Sequence, residues 1–426
     1  MRLKQIFFCF IVFISSACSE ELELNYQEYF EVKKEELKAV PGNPVFFYFT
    51  DTHISDNTGN SPYIINEFAK YSECRTVIWG GDAITAYSPS IHDEWEKQER
   101  MFETIAPVAN VYTVHGNHDL TNKNRKSNDG FTFPHKKLHD LLLKNCKSIV
   151  RNNSDSSSCY YYFDDDKHRL RFVVVDTNDK GTYGDKAWGY DYSVSKKQMD
   201  WLAKEAFLTT PDNYGIFVLS HVPILRNFNG FYPDFEKMLY AVKDKSVVNV
   251  GNQSYDFRMM GKHTKLLAII SGHNHHDMQV FSNGLLQVIV ASDACYQDFK
   301  RSPFAFQSTR KKNTISEQVV ELCKYDDNEN VLSFVRLGFG SSRYFHLTPI
   351  IAKEGDRLSV PFIGADIKNI GFYDADAKYV NKEWTLRSNV LSVDSNGKLK
   401  AKSKGEAVVF SVGANGDLEL FDVVVK

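Results

Sequence analysis

Asp51-Thr52-His53, Gly81-Asp82, Gly116-Asn117-His118-Asp119, His221 and Gly272-His273-Asn274-His275 are five clusters of residues able to hold metal or move protons. Imidazole, carboxylate and amide oxygen in one set suit manganese, iron or zinc better than calcium or magnesium, which prefer all-oxygen shells. Asp51, His53, Asp82, Asn117, His221, His273 and His275 are too many ligands for one tetrahedral ion. They are enough for two ions that share a carboxylate. Two ions about 3.5–4 Å apart can hold a bridging hydroxide and stabilise charge on a group under in-line attack. The lowered pKa of the bound water makes that nucleophile available near neutral pH.

The elements that must position these clusters are short apolar runs. Val45–Thr50, Thr76–Trp79, Val111–His115, Gly215–Ser220 and Leu266–Ile270 each lead directly into one cluster, and Phe172–Val175 leads into Asp176. Such runs read as strands buried on both faces. In open α/β sheets the crevice outside the carboxyl ends of the strands is where ligands bind, and the polar groups fall there each time. Helices are predicted between the strands over Ile91–Ile105, Phe133–Leu143 and Ser195–Phe207. In the last, Ser195 is the N-cap and Met199, Leu202, Ala203 and Ala206 form one face. Leu120–Cys159 and Arg226–His263 are longer than simple connections and are expected to carry substrate choice.

The ordered set Asp-x-His, Gly-Asp, Gly-Asn-His-Asp, lone His and Gly-His-x-His resembles the calcineurin-like metallophosphoesterase superfamily over roughly residues 43–300. The resemblance implies a four-layer α/β/β/α sandwich with a two-metal centre of manganese, iron or zinc. It puts Asp51, His53 and His275 at the first metal, Asp82 between the two, and Asn117, His221 and His273 at the second. It gives His118 the task of contacting a phosphoryl oxygen or protonating the leaving group. Asp119 either orients His118 or is a loop carboxylate with ordinary hydrogen bonds. His115 reads as a strand residue, His276 as a supporting or merely exposed residue, and Asp176 as a hydrogen-bonding support rather than a ligand.

Purple acid phosphatases carry a Tyr three residues after the bridging Asp, where this chain has Thr85, and their first motif lacks the His found at His53. The tail is too small for the substrate domain of a 5'-nucleotidase. Arg336–Arg343 resembles the closing segment of exported metallophosphoesterases from gut-type bacteria. From about residue 350 the pattern changes to alternating strands, with turn chemistry at Asp394–Lys398 and no His or Cys after Pro349. Through Trp384, Leu391–Asp394, Asn396–Lys398, Lys404–Ala407 and the last Val-rich run, residues 350–426 resemble a group 2 bacterial Ig-like β-sandwich. Such a module implies a spacer or a contact with a surface glycan or protein.

The chain has 426 residues and a formal net charge of -3. Without a basic stretch, nucleic-acid binding is not expected. Arg2 and Lys4, the apolar run Ile6–Ile14 and Ser15-Ser16-Ala17-Cys18 make a secretory signal over residues 1–18. It resembles a bacterial lipoprotein signal with Cys18 as the lipidation site, although Ser15 stands where that motif prefers Leu. Simple cleavage and release is the other reading. Residues 19–42 would be a tether or short helix, 43–348 the catalytic domain, and 350–426 the Ig-like domain. Cys146 and Cys159 either close the polar loop between them by a disulfide or are free thiols. The expectation is an exported metal-dependent phosphoesterase, a Gram-negative cell-envelope or outer-surface lipoprotein or a periplasmic protein. It would act on a small phosphoester, with a lean to monoesters. A phosphodiesterase of cyclic-nucleotide or lipid-headgroup type and a catalytically silent surface scaffold are the alternatives.

Overall fold

The structure is a computed structural model that describes residues 26–54, 59–84, 91–119, 135–155, 158–179, 192–225, 232–294, 310–312, 314–360, 370–375, 388–394, 398–413 and 416–426. Cys18, Cys295 and Trp384 lie outside the described residues, as do most of the aromatic stretches around Phe131 and Trp188. The chain divides into two compact units. One comprises Val45–Lys312 and Glu317–Val320; the other comprises the residues before Val45, Asn313–Ser316 and Glu321–Lys426.

In the first unit, β1 (Asn43–Phe49), β2 (Thr76–Trp79) and β3 (Asn110–Thr113) lie side by side in parallel. A second, seven-stranded sheet contains β4 (Val150–Arg151), β5 (Tyr161–Asp165), β6 (Leu170–Val175), β7 (Gly215–Ser220), β10 (Lys265–Ser271), β11 (Met278–Ser282) and β12 (Leu285–Ile289), in the order β11-β12-β10-β7-β6-β5-β4. Its four central strands are parallel. The two sheets meet through aromatic side chains: Phe46 of β1 packs edge-on against Phe172 and Phe217, each with ring centroids 5.3 Å away, and Tyr112 of β3 stacks on Phe163 at 3.5 Å. This is why the strand sequences are apolar on both faces.

Helices α2 (Ser61–Ser72), α3 (Ile91–Ile105) and α4 (His135–Leu143) accompany the first sheet; Thr113 at the end of β3 donates to the Leu142 carbonyl. The second sheet is covered by α5 (Lys196–Trp201), the helical turns that follow it and α6 (Pro233–Asp244); Leu202 and Ala206 after α5, and Phe235, Met238 and Leu239 of α6, join Val173, Val218 and Ile269 in one core. Ser195 caps α5 by accepting from Gln198 N–H at 3.1 Å. The predicted single α-helix through Phe207 instead widens into a π-helix over Leu202–Phe207. There the Ala206 carbonyl is held by Arg171 Nη1 at 2.8 Å and the Thr210 hydroxyl at 3.0 Å, which satisfies it off the helical ladder. The segment Arg226–His263 contributes α6 and the hairpin β8 (Val247–Val250)–β9 (Gln253–Asp256).

The other unit contains α1 (Tyr26–Ala39), β13 (Val319–Asp326), β14 (Val331–Gly338), β15 (Arg343–Ala352), β16 (Ile370–Asp374), β17 (Leu391–Val393), β18 (Leu399–Ala401), β19 (Gly405–Val412) and β20 (Leu418–Val425). Residues 26–39, expected as a tether or short helix, are a helix with tertiary partners. Lys324 Nζ donates to the Leu37 carbonyl at 2.7 Å, and Tyr29 Oη accepts from Gly338 N–H. The expected division near residue 349 falls inside β15, which pairs in parallel with β20. β19 and β20 are antiparallel and β17–β18 form the hairpin around the predicted turn. Phe372, Val390, Leu391, Val409, Val423 and neighbours make a small core.

Cys146 and Cys159 are free thiols, so the bridge held open above is not made. Cys146 Sγ approaches the Leu142 carbonyl and Tyr161 Oη, both at 3.7 Å. Cys159 is buried elsewhere, beside His115 and Asp176.

Candidate metal centre

Each ligand stands just past the carboxyl end of a parallel strand, and five of the seven lie on backbone that most residues avoid. Asp51, His53, Asp82, His273 and His275 have φ of 52°, 40°, 50°, 70° and 64°. Left-handed backbone costs a non-glycine residue roughly 1–2 kcal/mol, so the surrounding fold must enforce it. Cross-links between strand ends do this. Asp51 N–H donates to the Gly81 carbonyl at 2.9 Å, His53 N–H to Asp82 O at 3.1 Å, and Gly272 N–H to His221 O at 3.0 Å. The glycines beside the ligands are steric requirements. A Cβ on Gly116 would overlap Asp82, and one on Gly272 would overlap Thr50 and Asp51.

The seven expected ligands come together. One ligand atom each from Asp51, His53, Asp82 and His275 lie within 4.8 Å of one another, and so do those of Asp82, His221 and His273. His53 Nε2 is 3.2 Å from His275 Nε2, and His275 Nε2 is 3.3 Å from Asp51 Oδ1. On the other side His221 Nε2 is 3.1 Å from Asp82 Oδ2, and Asn117 Oδ1 is 2.8 Å from His273 Nδ1. Asp82 belongs to both groups.

Partners outside the cluster aim the ligands. His221 Nδ1 donates to the Gly80 carbonyl at 2.9 Å, which leaves Nε2 to face Asp82. Asp51 Oδ2 accepts from the Thr50 hydroxyl and from His273 N–H, both at 2.9 Å. Asp82 Oδ1 accepts from His118 N–H at 2.7 Å. The ring of His118 stands edge-on to His53 with centroids 5.0 Å apart, and its Nε2 is 4.0 Å from Asp82 Oδ2.

The chemistry of this set fits metal ions. Asp51 Oδ1 and His221 Nε2 are buried without a hydrogen-bond partner of good geometry, and buried polar atoms in that condition are costly unless something else satisfies them. Burial first, then the neighbouring His118 and His275, lower His53 to about 3; burial and His221 lower His273 to about 3. Both rings therefore keep lone pairs. Burial also opposes charge on His221, but Asp82 and Asp51 outweigh it and raise that ring to about 10 in the metal-free chain. A cation between these carboxylates would take the place of that proton.

Of the two readings of Asp119, the structure gives the loop carboxylate with ordinary hydrogen bonds. Its Oδ1 accepts from Ala83 N–H at 2.8 Å, and Oδ2 from Gly116 N–H at 2.8 Å and Asp82 N–H at 3.2 Å. It ties the Asp82 loop to the Asn117 loop; it does not steer the His118 ring. His276 is half-buried beside the cluster, and burial lowers its pKa. Of the aromatic runs, Tyr160 and Tyr161 are core residues, and Tyr162 packs against Arg171 and Trp201.

Sequence reasoning missed the residues behind Asp51. Ser292 Oγ donates to the Asp51 carbonyl at 2.8 Å, and Asp293 N–H to Thr50 O at 2.9 Å. The Asp293 carboxylate accepts from the Ser61 hydroxyl at 2.5 Å and from Val319 N–H at 2.8 Å, while Arg310 donates to the carbonyls of Ser292 and Asp293 at 2.9 and 3.1 Å. The signal was present, because Ser292-Asp293 follows the apolar Leu285–Ala291 run just as the ligands follow theirs.

The calcineurin-like phosphoesterase model matches residues 45–277, more than half of the sequence. The chain belongs to this family. It is a metal-dependent phosphoester hydrolase with a candidate binuclear site. No curated protein matches it. Similar solved structures include a dimetal phosphatase from Danio rerio, 15% identical, covering 71% of this chain and 99% of that one with a TM-score of 0.43. Phosphopantetheinyl hydrolase from Mycobacterium tuberculosis is 15% identical, with 62% and 94% covered and a TM-score of 0.33. A purple acid phosphatase from yellow lupin (Lupinus luteus) is 13% identical, with 70% and 51% covered and a TM-score of 0.38.

Proposed function

We propose that this phosphoesterase is an exported phosphomonoesterase that works with two manganese, iron or zinc ions. The observation that carries the two-ion reading is Asp82, whose carboxylate is common to both ligand groups. In this reading Asp51, His53 and His275 complete the first site, and Asn117, His221 and His273 the second. When bound, the ions supply a nucleophile of lowered pKa and positive charge opposite the phosphoryl oxygens. The chain's own work is orientation and proton transfer. Gly80 fixes the tautomer of His221, and Thr50 and His273 N–H hold Asp51 Oδ2. His118 is anchored through its backbone at Asp82, with a partly exposed ring. It would hydrogen-bond a phosphoryl oxygen and pass a proton to the leaving alkoxide. Asp119 keeps the two loops in register.

Export rests on the N-terminal charged-apolar-small pattern ending at Cys18. Among the described residues no helix is long and apolar enough to cross a membrane. Attachment would then be through a lipid on Cys18, and palmitate labelling that survives Cys18→Ala would sink that part. The strands β16–β20 and their core support an Ig-like module for surface contacts; failure of the exported protein to bind surface glycans or envelope proteins would remove that role.

The deciding experiment compares an aryl phosphomonoester with its diester after chelation and after return of manganese, zinc or iron. Monoester turnover that disappears on chelation and returns with metal is expected. Preference for the diester would reverse the substrate assignment. No turnover of either, with two ions bound, would point to a silent scaffold.

A further inference from the structure

A second constellation of ligand-type side chains lies outside the seven-ligand set and in a drier place. His115 follows β3, Cys159 precedes β5 and Asp176 follows β6; their relative exposures are 0%, 1% and 0%. One ligand atom from each lies within 4.8 Å of the others. His115 Nδ1 and Asp176 Oδ1 are 2.9 Å apart.

We propose that His115, Cys159 and Asp176 form a third, buried metal site that takes one zinc or similar thiophilic divalent cation and locks the ends of β3 and β6 together. The donor types argue for such an ion: thiolate and imidazole favour zinc and other soft first-row metals over calcium or magnesium. Charge permits it as well. One divalent cation with a thiolate, a carboxylate and a neutral imidazole leaves no net charge in the interior, where net charge is expensive. Supports typical of a ligand cage are in place. Asp176 Oδ1 also accepts from Asn178 N–H at 2.9 Å. Gln198 accepts from Asp176 N–H and donates to the Asp176 carbonyl, both at 2.9 Å, and Asn178 Nδ2 donates to the His115 carbonyl at 3.4 Å. Ligands of one tetrahedral zinc sit about 3–4 Å apart, so closing the set takes adjustments of about 1 Å. On binding, the Cys159 thiol loses its proton to solvent and its sulfur pair forms the bond to the ion. In the metal-free chain burial, and after it Asp176 and Asp179, hold that thiol protonated.

The site does not depend on which phosphoester is cleaved, and its signature differs from that of the seven-ligand centre, which contains no sulfur. Cobalt(II) is loaded into the full chain and the thiolate-to-cobalt charge-transfer absorption is recorded together with metal content. A band accompanied by a third equivalent of metal is expected. Cys159→Ser and Asp176→Asn should each remove the band and one equivalent, whereas Asp82→Asn should keep the band while losing metal from the other centre. Sulfur scattering at about 2.3 Å at the zinc absorption edge of the wild-type protein is expected too, and does not depend on a variant folding. Absence of both the band and the sulfur scatterer in folded, metal-loaded protein overturns the proposal. So does a band that survives Cys159→Ser and disappears in Cys295→Ser.

Discussion

Two regions of this molecule bury charge, and they neutralise it by opposite means. In the unit that includes β14 and β15, Glu321 lies between two buried arginines. It accepts from Arg336 Nη2 and, at 3.2 Å, from Arg343 Nη2, while Arg336 Nη1 donates to the Phe339 carbonyl at 2.6 Å. The guanidinium of Arg343 also faces the ring of Phe334 at 5.6 Å. Each guanidinium there lies beside a carboxylate of the same chain, one Glu321 serving both. At the strand ends of the other unit, two carboxylates and four imidazoles converge with the amide of Asn117, and Asp51 Oδ1 and His221 Nε2 are buried there without a well-formed hydrogen bond. No Lys or Arg belongs to that set. Burial of charge alone therefore does not mark a functional site; burial that needs an outside cation does.

The sharpest break of the comparison is Asp82→Asn. It removes the one carboxylate common to both ligand groups, and turnover should fall by well over the roughly 10–100-fold seen when an outer partner of a ligand is lost. The metal-free variant should also be less stable than the metal-free wild type, because the buried His221 ring loses the carboxylate that favours its charge. Metal analysis beside thermal melting tests both halves, and retained two-metal binding would refute the shared role. Next is His118→Ala, expected to lower kcat by about 10²- to 10⁴-fold, the usual range for proton-transfer groups. Metal content should stay nearly unchanged; parallel loss of metal and rate would mean His118 belongs among the ligands.

Glu321→Gln makes the converse case. Leaving two buried guanidinium groups without their carboxylate should cost about 3–5 kcal/mol of stability. The protein that remains folded should hold its metal and turn over substrate normally. A denaturant titration with activity measured per folded molecule decides this, and a neutral effect on stability would show that water, not Glu321, satisfies the arginines.

What the sequence made legible divides along the same line. The ligands could be read because each sits within a few residues of a strand end and each needs a particular donor type. The parallel strands could be read because burial on both faces leaves unbroken apolar runs, as in Phe46–Phe49 and Val173–Val175. The supports could not be read in this way. Ser61 meets Asp293 across 232 residues, and Tyr29 meets Gly338 across 309. Pairs so distant leave no local pattern. That Arg336 and Arg343 belong to a buried ion network could not be read either, since charge in a sequence does not say whether it is solvated. The two readings of Asp119 stayed open for a related reason: its acceptors are filled by backbone N–H groups, which every residue but proline possesses and no motif advertises.

That carboxylate gives the smallest predicted effect and joins the two kinds of buried charge. Asp119→Asn keeps an acceptor on one side but sets an amide NH2 against backbone N–H donors on the other, so it should cost about 1–3 kcal/mol at low pH. In the metal-free protein, burial and then the neighbouring Asp82 raise Asp119 to about 6, above its ordinary 3.8. The folded state therefore holds this proton more tightly than the unfolded chain does. Its contribution to stability is fully present below about pH 4 and is lost as pH rises through 6. An Asn at 119 does not titrate, so the stability gap between wild type and variant should shrink from pH 4 to 6. With metal bound, the charge of Asp82 is compensated and the same interval should show little change. Melting temperatures of both proteins across that range, with and without metal, test the coupling. A gap that stays constant in the metal-free pair would mean that Asp119 keeps an ordinary pKa, held down by its three backbone N–H donors against the repulsion of Asp82.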